Sequence, residues 1–371
     1  LKRIKILECI RQGQIGGGES HLLSLVENLD KTIYEPVVLS FTEGPMVDKL
    51  KDMGVKTYVI HTEKPFDITK WKKVRRLLQG EQITLVHAHG TRANSNVFWA
   101  ARSLGLPLVY TVHGWSFHDD QHPLVKKIRI WSEKLLTAKA DVNISVSESN
   151  KQSGRKYLRR FDSVVVNNGI DQGKFNAAGS YKNIRAELGI GNNEMLVLFI
   201  ARFTAHKQPL ALIHAFAKAV TEAPALKLLM VGDGDQKNEA VHIVQELGLQ
   251  EKILFQPFRQ DVPDVLAAAD IFVLPSLWEG LPIALLEAMS MGKTVIGTKV
   301  DGTVEVIEDK KNGLLIELDH LVNDLATALI TLSKDEAFRK RLSENAAETV
   351  KNKFNAATMT RQIEGIYAGL L

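Results

Sequence analysis

The sequence is short of the features that mark several protein classes. A single cysteine, Cys9, leaves no intrachain disulfide and no cysteine metal cluster, and points to a reducing compartment. No apolar run approaches the ~18 residues that span a bilayer, and no signal-peptide pattern is present. The first residue is Leu1 rather than Met, so an initiator or short leader is expected ahead of it. Internal repeats and low-complexity tracts are absent. Aromatic residues make up 7% of the chain, few candidates lie beside the basic clusters, and no nucleic-acid-binding motif is recognisable, which argues against nucleic acid as a partner.

What remains is an ordinary globular composition, 45% apolar and 24% charged, over 371 residues, too many for one typical core. In the first half, residues 4–7, 37–39, 85–87, 108–110 and 142–144 read as strands. In the second half, residues 195–201, 227–231, 253–255, 271–274 and 294–297 do the same. Amphipathic stretches such as 21–29 and 71–78 lie between them. This alternation predicts parallel sheets covered on both faces, and two such series predict two doubly wound α/β domains. The turn signal at 167–171 and the small residues at 177–180 place the boundary, giving a first domain over 1–170, a linker over 171–182 and a second domain over 183–354. Residues 335–371 are helical in pattern. Charge follows the same division. Residues 1–180 carry 27 Lys and Arg against 18 Asp and Glu, and residues 181–371 carry 20 against 25. A basic half joined to an acidic half implies different partners for each.

The most informative stretch is 275–313. The apolar run 271–274 leads into Pro275, Ser276, Leu277, Trp278, Glu279, Gly280, Leu281 and Pro282, followed by a helical pattern that contains Glu287. Pro282 suits a first helical turn. Glu279 then lies in the loop at a strand's carboxyl end, where open α/β sheets bind ligands, and its carboxylate can accept hydrogen bonds from sugar or ribose hydroxyls. After residues 195–201, Arg202 and Lys207 place two cations on a loop, an arrangement suited to a pyrophosphate. Gly232, Asp233, Gly234 and Asp235 follow another strand. Asp233-Gly234-Asp235 matches a DxD metal motif in letters only, because its strand-and-glycine context favours a turn beside a nucleotide without a metal. In the first half, Gly13, Gly16, Gly17 and Gly18 form a glycine-rich loop between a strand and a helix, too sparse for a dinucleotide fingerprint. His87 and His89 share one strand face and His113 ends another strand; with no third ligand recognisable, an active-site wall is favoured over zinc. These stations fall at strand carboxyl ends, so facing the two sheets edge to edge would gather them around one cleft.

Taken together, these strings resemble the retaining glycosyltransferases of family 4, whose GT-B fold sets two Rossmann-like domains facing each other across a cleft. The likeness spans nearly the whole chain and is strongest over 195–313. It implies transfer of a hexosyl unit from a nucleoside-diphosphate sugar to an acceptor hydroxyl, with retained configuration and no essential metal or other cofactor. Position by position, Glu279 would contact the transferred sugar and His113 its primary-alcohol side. Arg202 and Lys207 would hold the leaving diphosphate, with Gly16 and Gly17 facing it. Glu287 would accept from the two ribose hydroxyls, with Gly232, Asp233, Gly234, Gly280, Leu281 and Pro282 completing the donor site. His87 and His89 fall on the acceptor side. The resemblance also implies that a last helix, about 355–371, crosses back onto the first domain.

Several positions depart from the family's pattern. Gln208 and Asp301 stand where glycine is usual, Pro257 alters a Phe-x-Gly pattern near the base pocket, and Val304 replaces a common proline. These changes bear on nucleotide choice more than on reaction type; UDP is favoured over GDP. The segment 122–138 pairs Leu124, Val125, Ile128, Trp131 and Leu135 with Lys126, Lys127, Arg129 and Lys134. That pattern fits either an anionic membrane surface or a helix whose apolar face lies in the domain core. The expected setting is the cytoplasm, including its membrane face, and cell-surface polysaccharide, lipopolysaccharide or lipid-linked glycan synthesis. Two alternatives stay open: a non-catalytic nucleotide-sugar-binding homologue, and a sugar-nucleotide epimerase on a similar fold.

Overall fold

A computed structural model describes residues 3–118 and 121–371. The chain divides into two compact units, residues 1–169 with 356–371, and residues 170–355. Residues 171–182, read from sequence as a linker, lie within the second unit.

The first unit is built on seven parallel strands: β1 (Ile4–Ile10), β2 (Tyr34–Ser40), β3 (Lys56–Val59), β4 (Leu85–His89), β5 (Leu108–Val112), β6 (Val142–Ser145) and β7 (Val164–Val165), in the order β3-β2-β1-β4-β5-β6-β7. The second holds six: β8 (Met195–Ile200), β9 (Leu226–Val231), β10 (Ile253–Gln256), β11 (Ile271–Leu274), β12 (Thr294–Thr298) and β13 (Leu314–Ile316), in the order β10-β9-β8-β11-β12-β13. The strands absent from the sequence reading, β3, β7 and β13, are short and lie at or beside sheet edges. Each sheet therefore carries a topological switch point, between β1 and β4 in one and between β8 and β11 in the other. Crevices open at such points beyond the strands' carboxyl ends.

Central strands are buried on both faces and read as nearly unbroken apolar runs, as parallel sheets require. In the second unit the apolar faces of the helices Pro209–Glu222 and Leu321–Lys334 cover one side of β8, β9 and β11. In the first unit a helix from the far end of the chain, Ala356–Leu370, closes one face. Met359, Ile363 and Tyr367 pack with Ile6, Leu25, Leu85, Val109 and Ile144. The helical pattern over 335–371 is two helices, Glu336–Lys353 and Ala356–Leu370, and Ile170 pairs with Asn355 at the break.

Candidate active site

In the first unit the switch point is occupied by histidines. Glu8 interrupts the apolar run of β1 and is fully buried. Its Oε1 accepts from the Tyr367 hydroxyl at 2.7 Å, and its Oε2 lies 2.9 Å from His89 Nε2 and 3.2 Å from His87 Nδ1. His87 is closed on both sides, with Nδ1 2.6 Å from the Tyr367 oxygen and Nε2 2.7 Å from Thr111 Oγ1. His89 Nδ1 lies 3.1 Å from His113 Nε2. His21, from the first turns of the helix Gly17–Asn28, is buried beside His89 and His113; its Nδ1 lies 2.9 Å from Asn168 Oδ1, and its Nε2 has no hydrogen-bond partner among the described residues.

The electrostatics follow from burial. Removal from water would raise the Glu8 carboxyl, but His87 and His89, which lie against it and direct N–H groups at it, outweigh that and hold the carboxyl far below its usual range. Burial pushes His89 down to about 4 and His21 down to about 3, and it pushes His113 well below its usual value. His21, His89 and His113 are thus neutral imidazoles around one buried carboxylate at neutral pH.

The structure corrects one part of the acceptor-side expectation. His87 is wholly buried with both nitrogens engaged, so it offers no surface to an acceptor. His89 is 1% exposed and lies behind His113, which is half-buried. Trp115 is a core residue whose indole N–H donates to the Asn150 carbonyl.

The glycine loop ends sooner than the sequence suggests. Gly16 is the N-cap, and Gly17 and Gly18 already belong to the helix. Gly18, rather than Gly16 or Gly17, lies against His113, with a Cβ position 3.4 Å from the imidazole Cδ2. Glu19 in the same turn is buried and lies 3.6 Å from Arg11 Nε.

In the second unit the loop after β8 turns through a short 3-10 helix, Ala205–Lys207, and brings Lys207 to Glu279 in the loop after β11. The Lys207 ammonium donates directly to Glu279 Oε1, and both side chains are mostly buried. His206 stacks on Trp278, with ring centroids 4.2 Å apart, and its carbonyl accepts from the Leu277 N–H at 2.8 Å. The two loops are therefore fastened together. Arg202 is exposed beside them.

Pro282 is the N-cap of the helix Ile283–Ser290, one residue before the first turn expected of it, and no side chain caps that terminus. Leu281 and Pro282 are buried, while Gly280 is half-buried. The Glu287 carboxyl, one turn into the helix, has no hydrogen-bond partner among the described residues. Burial raises its carboxyl to about 7 against a weaker opposing pull from Lys174. An unsatisfied carboxylate at this edge is a ready acceptor for hydroxyl donors.

Glycines hold the loops together by close approach. A Cβ on Gly232, at φ 136°, would lie 2.1 Å from the Ala201 carbonyl oxygen, and one on Gly234 would meet the Phe203 backbone. The Phe203 N–H donates to the Asp233 carbonyl, so the β8 and β9 loops close on each other. Asp233 itself is exposed and accepts from the Gly234 N–H. Gly302 allows the Gly280 carbonyl oxygen to approach within 1.9 Å of where its Cβ would be. The departures at 208 and 301 also resolve: Gln208 takes φ 53° and Asp301 φ 24°, the region that a glycine adopts without strain.

Two ligand sets among the described residues have donor atoms within 4.8 Å of one another, His21–His89–His113 and Glu8–His87–His89. Among the described residues the ring nitrogens of these sets are engaged in hydrogen bonds, except His21 Nε2 and His113 Nδ1.

The helix Pro123–Lys139 reverses the usual amphipathic order. Its buried positions are Glu133, Leu136 and Thr137; Glu133 accepts from Thr91, Ser116 and Tyr110. Leu124, Val125, Ile128 and Trp131 are exposed, Trp131 to 66%. This overturns the option that these four residues face the domain core. No helix among the described residues is long and apolar enough to cross a membrane.

Sequence reasoning missed Glu8, His21, Thr111, Asn168 and Tyr367. A charged residue inside an apolar strand was the available signal for Glu8. Tyr367 had none, because its partners lie at the opposite end of the chain.

Two sheets of doubly wound α/β type, each with chemistry at its switch point, define the GT-B class. The sequence profile "Glycosyl transferases group 1" matches residues 180–349, and that of "Glycosyltransferase Family 4" matches residues 15–174. The chain belongs to the family 4 glycosyltransferases. It is 28% identical to the UDP-Gal:alpha-D-GlcNAc-diphosphoundecaprenol alpha-1,3-galactosyltransferase of Escherichia coli, over 100% of this chain and 98% of that one. It is 29% identical to the N-acetyl-alpha-D-glucosaminyl L-malate synthase of Bacillus anthracis, over 86% and 84%. Among solved structures, Anabaena HepE in complex with UDP and glucose superposes with a TM-score of 0.88 at 23% identity, covering 99% of this chain and 100% of that one.

Proposed function

We propose that this glycosyltransferase moves a hexosyl unit from a nucleoside-diphosphate sugar, with UDP favoured over GDP, to a hydroxyl of a lipid-linked glycan or cell-surface polysaccharide acceptor. The anomeric configuration is retained and no metal is required. The observation that carries the reading is the Lys207–Glu279 pair at the β8–β11 switch point, with Glu287 one turn into the following helix. Lys207 and Arg202 stabilise charge that builds on the departing diphosphate. Glu279 accepts from the transferred sugar's hydroxyls, Glu287 accepts from the ribose hydroxyls, and His113 faces the sugar. Gly16, Gly17, Gly232, Asp233, Gly234, Gly280, Leu281 and Pro282 shape the donor site through their backbones. The leaving phosphate itself serves as the base, the front-face pathway that the family resemblance implies.

The Escherichia coli relative, named for UDP-Gal and a diphosphoundecaprenol-linked acceptor, supports both the UDP preference and a lipid-linked acceptor. The helix Pro123–Lys139 supports a working position on the cytoplasmic face of a membrane. Its exposed Leu124, Ile128 and Trp131 lie among Lys127, Arg129 and Lys134, which suits an anionic lipid surface. The test is transfer of labelled sugar from UDP-hexoses to a polyprenyl-diphosphate glycan with EDTA present. Label in the lipid fraction, in the anomeric form of the donor, is expected. Donor epimerised without acceptor, or donor bound and never consumed, would contradict transfer.

A further inference from the structure

The hydrogen bonds behind His113 have a direction, and that direction reaches the surface. Glu8 is a buried, ionised carboxylate and can only accept. His89 Nε2, 2.9 Å away, must therefore carry its proton toward Glu8. A neutral imidazole protonated at Nε2 is bare at Nδ1. His89 Nδ1 lies 3.1 Å from His113 Nε2, so His113 must donate there. Its remaining nitrogen, Nδ1, is then a bare acceptor with no partner among the described residues. The other contacts obey the same order. The Tyr367 hydroxyl donates to Glu8, the Thr111 hydroxyl donates to His87 Nε2, and the His87 Nδ1–H is shared between the Tyr367 oxygen at 2.6 Å and Glu8 Oε2 at 3.2 Å. The remaining groups near His113 are His21, edge-on at 4.8 Å, and the Arg11 charge.

We infer that Glu8, acting through His89, fixes His113 as the Nε2–H tautomer, so that His113 offers a hydrogen-bond acceptor, Nδ1, to a hydroxyl of the donor sugar. Glu8 and His89 are positioning residues, and Tyr367 anchors Glu8 from the last helix of the chain. The contact with a sugar rests on the proposed function; the tautomer does not. The consequence is a preference: a donor that presents a hydroxyl at His113 satisfies the bare nitrogen, and one with the hydroxyl removed leaves it unpaired.

The test is nitrogen NMR of the full chain with labelled histidines and no nucleotide. His113 is expected to show a protonated Nε2 and a bare Nδ1 at neutral pH. A proton on Nδ1, or a doubly protonated ring, would overturn the inference. Glu8→Gln replaces an acceptor with a group that also donates. In that variant His89 and His113 are expected to populate both tautomers, while His21, held by Asn168, keeps its signals as the control for folding. A single unchanged His113 tautomer in Glu8→Gln would also overturn it. In transfer assays the fractional loss of kcat/KM in Glu8→Gln should match the fraction of His113 in the other tautomer. A chain with the expected tautomer and no transfer activity would sink the functional reading and leave the tautomer standing.

Discussion

Lys207 and Glu279, 72 residues apart in sequence, form a direct ion pair that joins the loops following β8 and β11. The cation assigned to the diphosphate and the carboxylate assigned to the sugar thus hold each other in place before any donor arrives. Such mutual positioning is what transition-state stabilisation requires, since groups already oriented need no reorganisation during the reaction.

Removing either partner should therefore cost turnover far more than stability. Lys207→Ala is expected to lower kcat by about 10²–10³-fold, the usual effect of deleting one group that stabilises developing charge. It also leaves Glu279 mostly buried without its partner, at a stability cost of about 1–3 kcal/mol. Glu279→Ala should likewise abolish measurable turnover while circular dichroism shows the native fold. Near-normal turnover in either variant would contradict the site assignment.

If Glu287 holds the ribose as proposed, donor binding should depend on pH. Its carboxyl is raised to about 7, so in the free protein it is neutral below that value and charged above it. Because the folded state holds this proton more tightly than the unfolded chain does, Glu287's contribution to stability is fully present below the ordinary carboxylate pKa and is lost as pH rises through about 7. Binding runs the other way. The ionised form accepts from ribose hydroxyls, so affinity for a UDP-sugar should rise as pH passes through about 7. Calorimetric titration one unit on either side checks this, and Glu287→Gln should remove both slopes and weaken binding by about tenfold or more.

The two kinds of glycine position predict opposite outcomes. Gln208 sits in the left-handed region and should gain from Gln208→Gly, by about 0.5–1 kcal/mol after loss of its contact with the Ala205 carbonyl. Gly302→Ala should lose about 2–3 kcal/mol, because its Cβ would strike the Gly280 carbonyl. Urea unfolding of both variants decides the matter; the reverse order would mean that these loops are not held as described.

Legibility was uneven, for physical reasons. Strands buried on both faces announce themselves as apolar runs, so both sheets were readable while β3, β7 and β13, two to four residues long, were not. Motif strings carried Lys207, Glu279 and Glu287, because a loop and the helix after it are local in sequence. The Glu8–His89–Tyr367 cluster needed contacts spanning 359 residues, which no spacing rule reports. The helix Pro123–Lys139 showed its composition but not its orientation: the sequence did not reveal that Glu133, rather than Trp131, faces inward.

That orientation is itself testable. Ile128→Ser with Trp131→Ser alters exposed positions and should change stability by no more than about 0.5 kcal/mol per site. It should weaken co-sedimentation with anionic vesicles by about tenfold or more, given ~1.5–3 kcal/mol for burying a large apolar side chain. Wild-type protein that fails to bind such vesicles at low salt would end the membrane reading.

The most direct test of the central claim is a thermal-shift screen of the full chain against UDP, GDP, ADP, dTDP and their common sugars with EDTA present. A nucleotide that binds only the folded state at a hundredfold excess over its dissociation constant adds about 2.7 kcal/mol. Selective stabilisation by UDP and a UDP-hexose is the result this account predicts, and it should shrink to about half or less in Glu287→Ala at the same nucleotide concentration. No shift with any nucleotide or sugar nucleotide would contradict it.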